Sequence, residues 1–254
     1  MSVRIAWEER GRGAPLVLVH GLGYARWGWE PVAPLLADRY RVVLLDNRGI
    51  GESDAPPGPY TVAEMAGDVL QVLDEAGVER AHVAGTSLGG MVAQELALSA
   101  PGRVDRLVLV CTTPGGPNAA PMPEGTRRLL AEAPSLEPAA ALRRLVENAL
   151  APGAPAELVE RILGHRLRAA QPREAWLAQA AAGAAFDAWE RLPGLRAPTL
   201  VLHGSEDAVV DPANARLLAE RIPNARLELF AGCGHLLFWE EPERFASVVT
   251  EFLG

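Results

Sequence analysis

Lysine is absent from the 254-residue sequence, so all 24 of its basic side chains are arginine. The sequence also has 32 acidic residues, so its formal net charge is −8 at pH 7. A protein of this charge repels the phosphates of nucleic acids and the anionic headgroups of a membrane surface. We therefore expect no nucleic-acid partner and no membrane partner.

Cysteine is also scarce. The two cysteines, Cys111 and Cys233, are far apart and belong to no ligand motif, so neither a disulfide framework nor a zinc site is expected. No apolar run approaches the length of a transmembrane helix. The N-terminal segment MSVRIAWEERGRG is too charged for a signal peptide. These absences predict a cytoplasmic protein without a metal or an organic cofactor.

Short apolar runs alternate with helical patterns along most of the chain. Continuous rather than alternating apolar runs are typical of parallel strands covered on both faces. The sequence predicts strands at 16–20, 41–46, 81–85, 106–111, 199–204 and 225–230. It predicts helices at 61–77, 88–100, 212–222 and 241–253, the first opening on a Thr-x-x-Glu capping box. The alternation indicates an α/β fold with a mostly parallel sheet and helices on both faces.

One segment lacks this alternation of strands and helices. Between 114 and 192 we find no convincing strand, and apolar residues such as Leu142, Leu145 and Val146 recur at helical spacing. We interpret 114–192 as an inserted helical cap, and 1–113 with 193–254 as the core domain. A disordered linker rich in Pro and Ala is the alternative, which the aromatic residues Trp176, Phe186 and Trp189 disfavour.

A sharp turn after the third predicted strand carries the first candidate for catalysis. Gly85-Thr86-Ser87-Leu88-Gly89 spells G-x-S-x-G between a strand and a helix, the context of a nucleophile elbow. The small glycines make room for the strained turn, and the following helix directs its N-terminal dipole to the same place. A structural Gly-Ser loop is the alternative. We predict that Ser87 is the nucleophile.

A serine needs a base to become nucleophilic, and the base needs a partner that orients it. Of five histidines, His235 lies in a loop between the last predicted strand and the last helix, where this architecture places the base. The acid should follow a strand between Ser87 and His235. We predict Asp207, with Glu206 as the weaker alternative, whereas Asp211 precedes Pro212 and suits a helix N-cap.

The oxygen that becomes negative when a serine attacks a carbonyl needs two hydrogen-bond donors. We predict that the backbone N–H groups of Leu22, in the loop HGLG, and of Leu88, at the helix start, form this oxyanion hole. Both donors belong to the backbone, so the apolar side chains of Leu22 and Leu88 are compatible with this role.

Five segments carry a resemblance: VHGLG, DNRGIGESD, GTSLGGMVAQELAL, VLHGSEDAVVDP and GCGHLLFWEEPERF, which lie in this order along the chain. With them the sequence resembles the α/β-hydrolase superfamily, and in particular its bacterial small-ester hydrolases and enol-lactonases with a helical cap. The resemblance implies the α/β-hydrolase fold and the triad Ser87, Asp207 and His235. It also implies a structural role for DNRGIGESD. Ser87 excludes the haloalkane-dehalogenase and epoxide-hydrolase branches of the superfamily, which use an aspartate at the elbow.

These parts predict hydrolysis of a small carboxylic ester through an acyl-enzyme. An enol-lactonase acting on an acidic lactone stays open and would need positive charge near the pocket, for which four arginines of the inserted segment are candidates: Arg127, Arg128, Arg143 and Arg144. The same triad also serves thioesterases, carbon–carbon hydrolases and metal-free perhydrolases. A ligand receptor with a retained triad is the alternative from another class, and the sequence does not predict the oligomeric state.

The sequence also offers candidates for the substrate pocket. Trp27 and Trp29 follow the predicted oxyanion loop, Trp176 and Phe186 lie in the inserted segment, and Leu236 follows the predicted base. Ordinary packing of large apolar side chains is the alternative for each of them. An apolar pocket under a helical cap favours small, hydrophobic esters.

Overall fold

The computed structural model describes residues 3–169 and 171–254. Within these residues, seven strands form one sheet in the order β1-β3-β2-β4-β5-β6-β7, in which β1 alone runs antiparallel to its neighbour. The strands are β1 Trp7–Arg10, β2 Ala14–Val19, β3 Tyr40–Leu45, β4 Ala81–Thr86, β5 Val104–Val110, β6 Thr199–Gly204 and β7 Arg226–Phe230.

Helices cover both faces of the sheet. Those of the core are α1 Ala33–Ala37, α2 Val62–Glu75, α3 Leu88–Ser99, α8 Ala213–Arg221, α9 Leu237–Glu240 and α10 Pro242–Leu253. Four more follow one another between β5 and β6, namely α4 Glu124–Glu132, α5 Pro138–Asn148, α6 Ala156–Arg168 and α7 Arg173–Ala185. We call these four helices the cap helices.

The alternation of side chains along each strand divides the core into two apolar layers. On one face Val17, Val83 and Leu109 pack with residues of α2 and α3, such as Val69 and Leu96. On the other face, neighbouring residues of the same strands pack with α1, α9 and α10. Burial on both faces explains why β2 to β6 have nearly continuous apolar sequences.

The sequence-based prediction of an α/β-hydrolase fold is confirmed, and the six predicted strands correspond to β2 to β7. The prediction missed β1, whose sequence WEER is half-exposed and charged. An edge strand with one solvated side does not need the apolar run by which buried strands are recognised. The capping box before α2 is present: Thr61 Oγ1 accepts from the Glu64 N–H, and the Glu64 carboxylate accepts from the Thr61 N–H.

The cap helices begin and end at one narrow connection to the core. An antiparallel bridge joins Gly115 to Asp187, and the Ala188 N–H donates to the Pro114 carbonyl at 2.9 Å. Where the cap helices meet the core, the Gln179 amide donates to the Arg48 carbonyl at 2.6 Å. The four cap helices therefore contact the core at this connection and at Arg48.

The order of the strands determines where a ligand can bind. The chain moves outward from β2 to β3 on one side, and from β4 to β7 on the other, so the order reverses between β2 and β4. In open parallel sheets, ligands bind at the carboxyl ends of the strands beside such a switch point. The loop after β2 and the turn after β4 therefore meet at the favoured position for a site.

Candidate active site

Ser87 forms the corner between β4 and α3 with φ of 55° and ψ of −121°. A positive φ strains a residue that has a Cβ, and such strain is concentrated at functional sites. The corner is also crowded, because a Cβ on Gly85 would collide with the carbonyl oxygen of Gly89, and a Cβ on Gly89 with that of Val19. Glycine at these two positions allows the serine to stand at the tip of the turn.

The loop after β2 lies directly against this corner. A Cβ on Gly21 would stand 2.8 Å from the Ser87 Cβ and 3.4 Å from its Oγ. Leu22 and Leu88 both line the cavity above Ser87. In the part of the chain that the structure describes, the backbone N–H groups of Leu22 and Leu88 donate to no other residue. Two donors thus remain available beside the serine hydroxyl.

His235 lies in the loop between β7 and α9 and lines the same cavity as Ser87. Its Nδ1 is 2.8 Å from Oδ2 of Asp207, so Nδ1 carries the proton and Nε2 is left as an acceptor. Among residues 3–169 and 171–254, the Ser87 hydroxyl makes no hydrogen bond. In free enzymes the bond between nucleophile and base is often long and shortens when substrate binds.

Asp207 is a buried carboxylate that accepts three hydrogen bonds and lies close to a further histidine. Oδ1 accepts from the backbone N–H groups of Val209 and Val210 at 2.8 and 2.9 Å, and Oδ2 accepts from His235. His203 Nε2 approaches Oδ2 to 3.0 Å from the end of β6. Burial alone would raise the pKa of Asp207, but the charge of His235 and the hydrogen bonds from His203 and His235 outweigh it and lower that pKa. The carboxylate therefore stays charged.

Neither of the two alternative acids, Glu206 and Asp211, is hydrogen-bonded to His235. Glu206 is exposed, and its carboxylate accepts from the neighbouring Ser205 hydroxyl at 3.3 Å. Asp211 lines the cavity, but its Oδ1 accepts from the N–H of Ala213, the first residue of α8, at 2.9 Å. Of the three carboxylates, only that of Asp207 is hydrogen-bonded to the His235 ring.

His20, in the loop after β2, is a second histidine at the cavity wall, and it is kept neutral. Burial, with a smaller effect from the charge of His235, lowers its pKa to about 3. Its Nδ1 accepts from the Gly21 N–H at 2.7 Å, and its ring stacks on Tyr24 with the ring centres 4.7 Å apart. His20 therefore supports the loop next to Ser87 and is no candidate for the base.

A cavity of about 340 Å³ opens above Ser87, between the core and the cap helices. Its wall is mainly apolar and includes Leu22, Met91, Leu130, Leu145, Trp176 and Leu236. Binding sites for small molecules occupy about 300–1,000 Å³, so this cavity suits a small ligand. Of the residues that the sequence offered for the substrate pocket, Trp176 and Leu236 lie in this wall.

Three other residues predicted for the pocket lie elsewhere. Trp29 is fully buried in the core and packs on Phe238, with the ring centres 4.7 Å apart. Trp27 stacks on His165 at 4.8 Å, and Phe186 belongs to the apolar layer of α2 and α3. Of these two tryptophans on the 3-10 helix Arg26–Trp29, Trp29 is buried in the core and Trp27 is half-buried against α6, and neither lines the cavity above Ser87.

The positive charge at the cavity also differs from the prediction. None of the four predicted arginines is in the wall of the cavity as it is described. Arg127 pairs with Glu124, Arg143 with Glu160 and Arg144 with Glu132, while Arg128 is exposed. Arg166 of α6 lines the cavity instead. The spacing of 159, 162, 163 and 166 places Arg166 on the buried face of α6, a signal that the sequence reasoning overlooked.

One group of side chains has the donor atoms that a metal ion needs. The ligand atoms of Cys111, His203 and Asp207 lie within 4.8 Å of one another, although the sequence shows no such motif. All three residues are buried, Asp207 already accepts three hydrogen bonds from the protein, and His203 Nε2 is bonded to the Val210 carbonyl. Burial raises the pKa of the Cys111 thiol, so the metal-binding thiolate is disfavoured. We interpret the group as the support of Asp207.

A further support connects the loop of His235 to the cap helices. The half-buried Glu240 carboxylate accepts from the Gly234 N–H at 2.7 Å and from the Ala151 N–H at 2.8 Å. The Leu236 N–H donates to the Ala149 carbonyl at 3.1 Å. The sequence reasoning gave Glu240 no role, because an acidic residue beside another in WEEP looks like a solvated helix start. The position of His235 thus depends on the segment between α5 and α6.

In the residues that the structure describes, no helix has the length and apolar character needed to span a membrane. The comparison with protein families gives the alpha/beta hydrolase fold, matched over residues 14–242. A 2-hydroxy-6-oxononadienedioate/2-hydroxy-6-oxononatrienedioate hydrolase of Cupriavidus pinatubonensis is 37% identical, over 99% of this chain and 91% of its own.

Two solved structures are similar over almost the whole chain. A thermophilic esterase from Thermogutta terrifontis, with malate bound, has a TM-score of 0.86 and 30% identity, covering 99% of this chain and 93% of its own. The enol-lactonase from Burkholderia xenovorans LB400 has a TM-score of 0.87 and 28% identity, covering 99% and 96%. The chain therefore belongs to the alpha/beta hydrolase family, and it is a hydrolase.

Proposed function

We propose that the protein is a carboxylesterase that cleaves small esters through a covalent acyl-enzyme on Ser87. The observation that carries the proposal is the hydrogen bond between Nδ1 of His235 and the buried carboxylate of Asp207. This bond leaves Nε2 of His235 as the acceptor, in the same cavity as the strained serine. The cavity is small and mainly apolar, which favours a small ester over a large or highly charged one.

The first half of the reaction forms the acyl-enzyme. As the Ser87 oxygen attacks the carbonyl carbon, its proton passes to Nε2 of His235, and Asp207 stabilises the imidazolium that results. The carbonyl oxygen becomes negative and accepts hydrogen bonds from the N–H groups of Leu22 and Leu88. Leu88 is the first residue of α3, so the helix dipole also favours this charge. His235 then gives its proton to the leaving alcohol.

The second half releases the acid. Water enters where the alcohol has left, and Nε2 of His235 takes its proton as the water oxygen attacks the acyl carbon. A second tetrahedral oxyanion forms beside the same two N–H groups and collapses, and the proton on His235 returns to the Ser87 oxygen. One ester and one water yield one alcohol and one acid, with no other reactant.

A second candidate is supported by the relatives. The substrates named for the Cupriavidus hydrolase are oxo-dienedioates, and the Burkholderia structure is that of an enol-lactonase. A ketone of the first kind and a lactone of the second both present a carbonyl that a serine can attack, and the dioate named for the Cupriavidus hydrolase also carries carboxylates. The same triad then breaks a carbon–carbon bond or opens a lactone ring in place of a simple ester bond.

A substrate panel tests the choice between them. The same acyl group is offered as a 4-nitrophenyl ester, a thioester, a lactone and a vinylogous ketone, and kcat/KM is measured for each. We expect the ester to give repeated turnover and the highest kcat/KM, and Ser87→Ala to abolish all turnover. A lactone or ketone cleaved a hundredfold faster than the ester would contradict the carboxylesterase assignment, and a single stoichiometric burst would favour a receptor.

A further inference from the structure

One glycine of the cap helices stands in the wall of the cavity that holds Ser87 and His235. Gly183 belongs to the last turn of α7 and is half-buried. Its φ is not positive, so the backbone itself would accept any other residue except proline. A glycine inside a helix makes that helix less stable than an alanine would. The presence of glycine at this position therefore needs another explanation, which its surroundings supply.

A side chain at position 183 would point at the helix that follows the nucleophile. A Cβ there would stand 3.2 Å from Cδ1 of Leu88 and 3.6 Å from Sδ of Met91. Both of these residues belong to α3, and both line the cavity. Leu88 also follows Ser87 directly, and its N–H group is one of the two proposed oxyanion donors. The missing side chain thus leaves a space between α7 and α3 next to the reacting serine, which we call the Gly183 slot.

The neighbouring residues of α7 have small side chains as well. Four residues of this helix line the cavity at helical spacing, namely Trp176, Ala180, Gly183 and Ala184. After the tryptophan, none of them carries more than a methyl group. The face of α7 is therefore bulky at one end of the cavity and flat along the rest, where it lies opposite α3.

Other helical glycines have different surroundings. A Cβ on Gly67, which is exposed on α2, would have no atom of the described residues within 4 Å, and the same holds for Gly125 of α4. A Cβ on Gly164 of α6 would meet the flexible guanidinium of Arg168. Gly183 differs from these because its neighbours are apolar side chains of the cavity wall.

An alkyl chain in the Gly183 slot would contact apolar side chains of α3 on one side and the flat face of α7 on the other. Each methylene that is buried in this way strengthens binding about fourfold while there is room for it. A methylene for which there is no room is rejected roughly tenfold or more. The length of chain that fits thus depends on the side chain at position 183.

We propose that Gly183 determines the chain-length specificity of the enzyme, and that the preferred substrates are esters with a linear alkyl chain that fills the Gly183 slot. This rests on the proposed function, because it places the chain relative to the carbonyl that Ser87 attacks. Gly183 acts by leaving space and takes no part in the proton transfers.

Two series of esters test the proposal by kcat/KM. One series varies the acid from acetate to octanoate as 4-nitrophenyl esters, and the other varies the alcohol from methanol to hexanol as butyrates. In the series whose chain enters the slot, kcat/KM of the wild type should rise about fourfold per methylene up to an optimum length. Gly183→Ala should shorten this optimum by about one carbon. Gly183→Val should lower the ratio of kcat/KM for the optimum chain to that for the shortest chain at least about tenfold.

Gly67→Ala and Gly67→Val are the matched controls, because they make the same changes in an exposed helix outside the cavity. They should keep the wild-type ratio. The melting temperature of Gly183→Ala should equal or exceed that of the wild type, since alanine favours a helix. A wild type without an optimum in either series, a folded Gly183→Val protein with an unchanged ratio in both, or an equal change in Gly67→Val would overturn the proposal.

The same esters separate this proposal from the proposed function. If Ser87→Ala still hydrolyses the esters while the optimum length depends on Gly183, the proposed function fails and the slot stands. If Ser87→Ala abolishes hydrolysis while the optimum length is the same in the Gly183 variants, the proposed function stands and the slot is refuted.

Discussion

Replacement of Asp207 by asparagine probes the hydrogen-bond pattern on which the proposed mechanism depends. The amide oxygen of the new side chain can still accept from the N–H groups of Val209 and Val210, which both bond to Oδ1 in the native protein. The amide nitrogen then faces Nδ1 of His235. Because an NH₂ group donates, it favours the tautomer of His235 in which Nδ1 accepts and Nε2 carries the proton. In that tautomer Nε2 can no longer take the proton of Ser87.

The expected loss combines two effects, the wrong tautomer and the missing negative charge beside the imidazolium. A substitution of this kind in a Ser-His-Asp triad lowers kcat about ten-thousandfold, equivalent to about 5.5 kcal/mol in the barrier. His203 Nε2 also lies 3.0 Å from Oδ2 of the native carboxylate, and an amide nitrogen at that place loses this attraction. We expect a fall in kcat of about a thousandfold to ten-thousandfold with little change in KM.

The assay is steady-state hydrolysis of 4-nitrophenyl butyrate, with the melting temperature measured alongside to show that the variant is folded. Asp211→Asn is the matched control, because Asp211 also lines the cavity but is bonded to the first N–H of α8. It should keep kcat to within about tenfold of the wild type. A folded Asp207→Asn protein with nearly normal kcat would refute the reasoning, as would a larger loss for Asp211→Asn.

Three further predictions concern the supports of the site. The pKa of His20 is about 3 in the folded protein, against an ordinary value of 6.5 in the unfolded chain, so its contribution to stability is complete above pH 6.5 and is lost as the pH falls towards 3. When the pH falls from 7 to 5, the free energy of unfolding of the wild type should fall by about 2 kcal/mol more than that of His20→Asn. Urea titrations at the two pH values measure both changes, and equal changes for the two proteins would contradict the prediction. Trp29→Ala should cost about 3–5 kcal/mol of stability, whereas Trp176→Ala should mainly raise KM; the reverse pattern would mean that the cavity wall is assigned wrongly. Glu240→Gln should destabilise the fold by about 1–3 kcal/mol and lower kcat, because one buried N–H loses its acceptor; unchanged thermal unfolding and kinetics would exclude that role.

The fold was predictable from the sequence wherever one physical requirement dominates. Strands β2 to β6, buried on both faces, need continuous apolar runs, and a helix such as α2 needs a periodic apolar stripe with a cap at its start. The strand β1 has neither requirement. It pairs along one side only and keeps charged residues in solvent, so local sequence holds little information about it.

The candidate site likewise has parts that the sequence predicts and parts that it does not. Ser87, Asp207 and His235 follow strands or precede helices at positions that the topology brings to one edge, so sequence order alone suggests that they meet. The orientation of Trp27 and Trp29 depends on the direction of one 3-10 turn, which no local pattern specifies. The presence of Arg166 in the cavity depends on how α6 docks on the core. Only its spacing from Ile162 and Leu163 hints at this.

The most direct test of the central claim is covalent labelling of the folded protein by a fluorophosphonate. We expect one adduct per chain, located at Ser87 by peptide mass spectrometry, and loss of both the adduct and the esterase activity in Ser87→Ala. An adduct on another residue, or ester cleavage that persists in a folded Ser87→Ala protein, would contradict the assignment of Ser87 as the nucleophile.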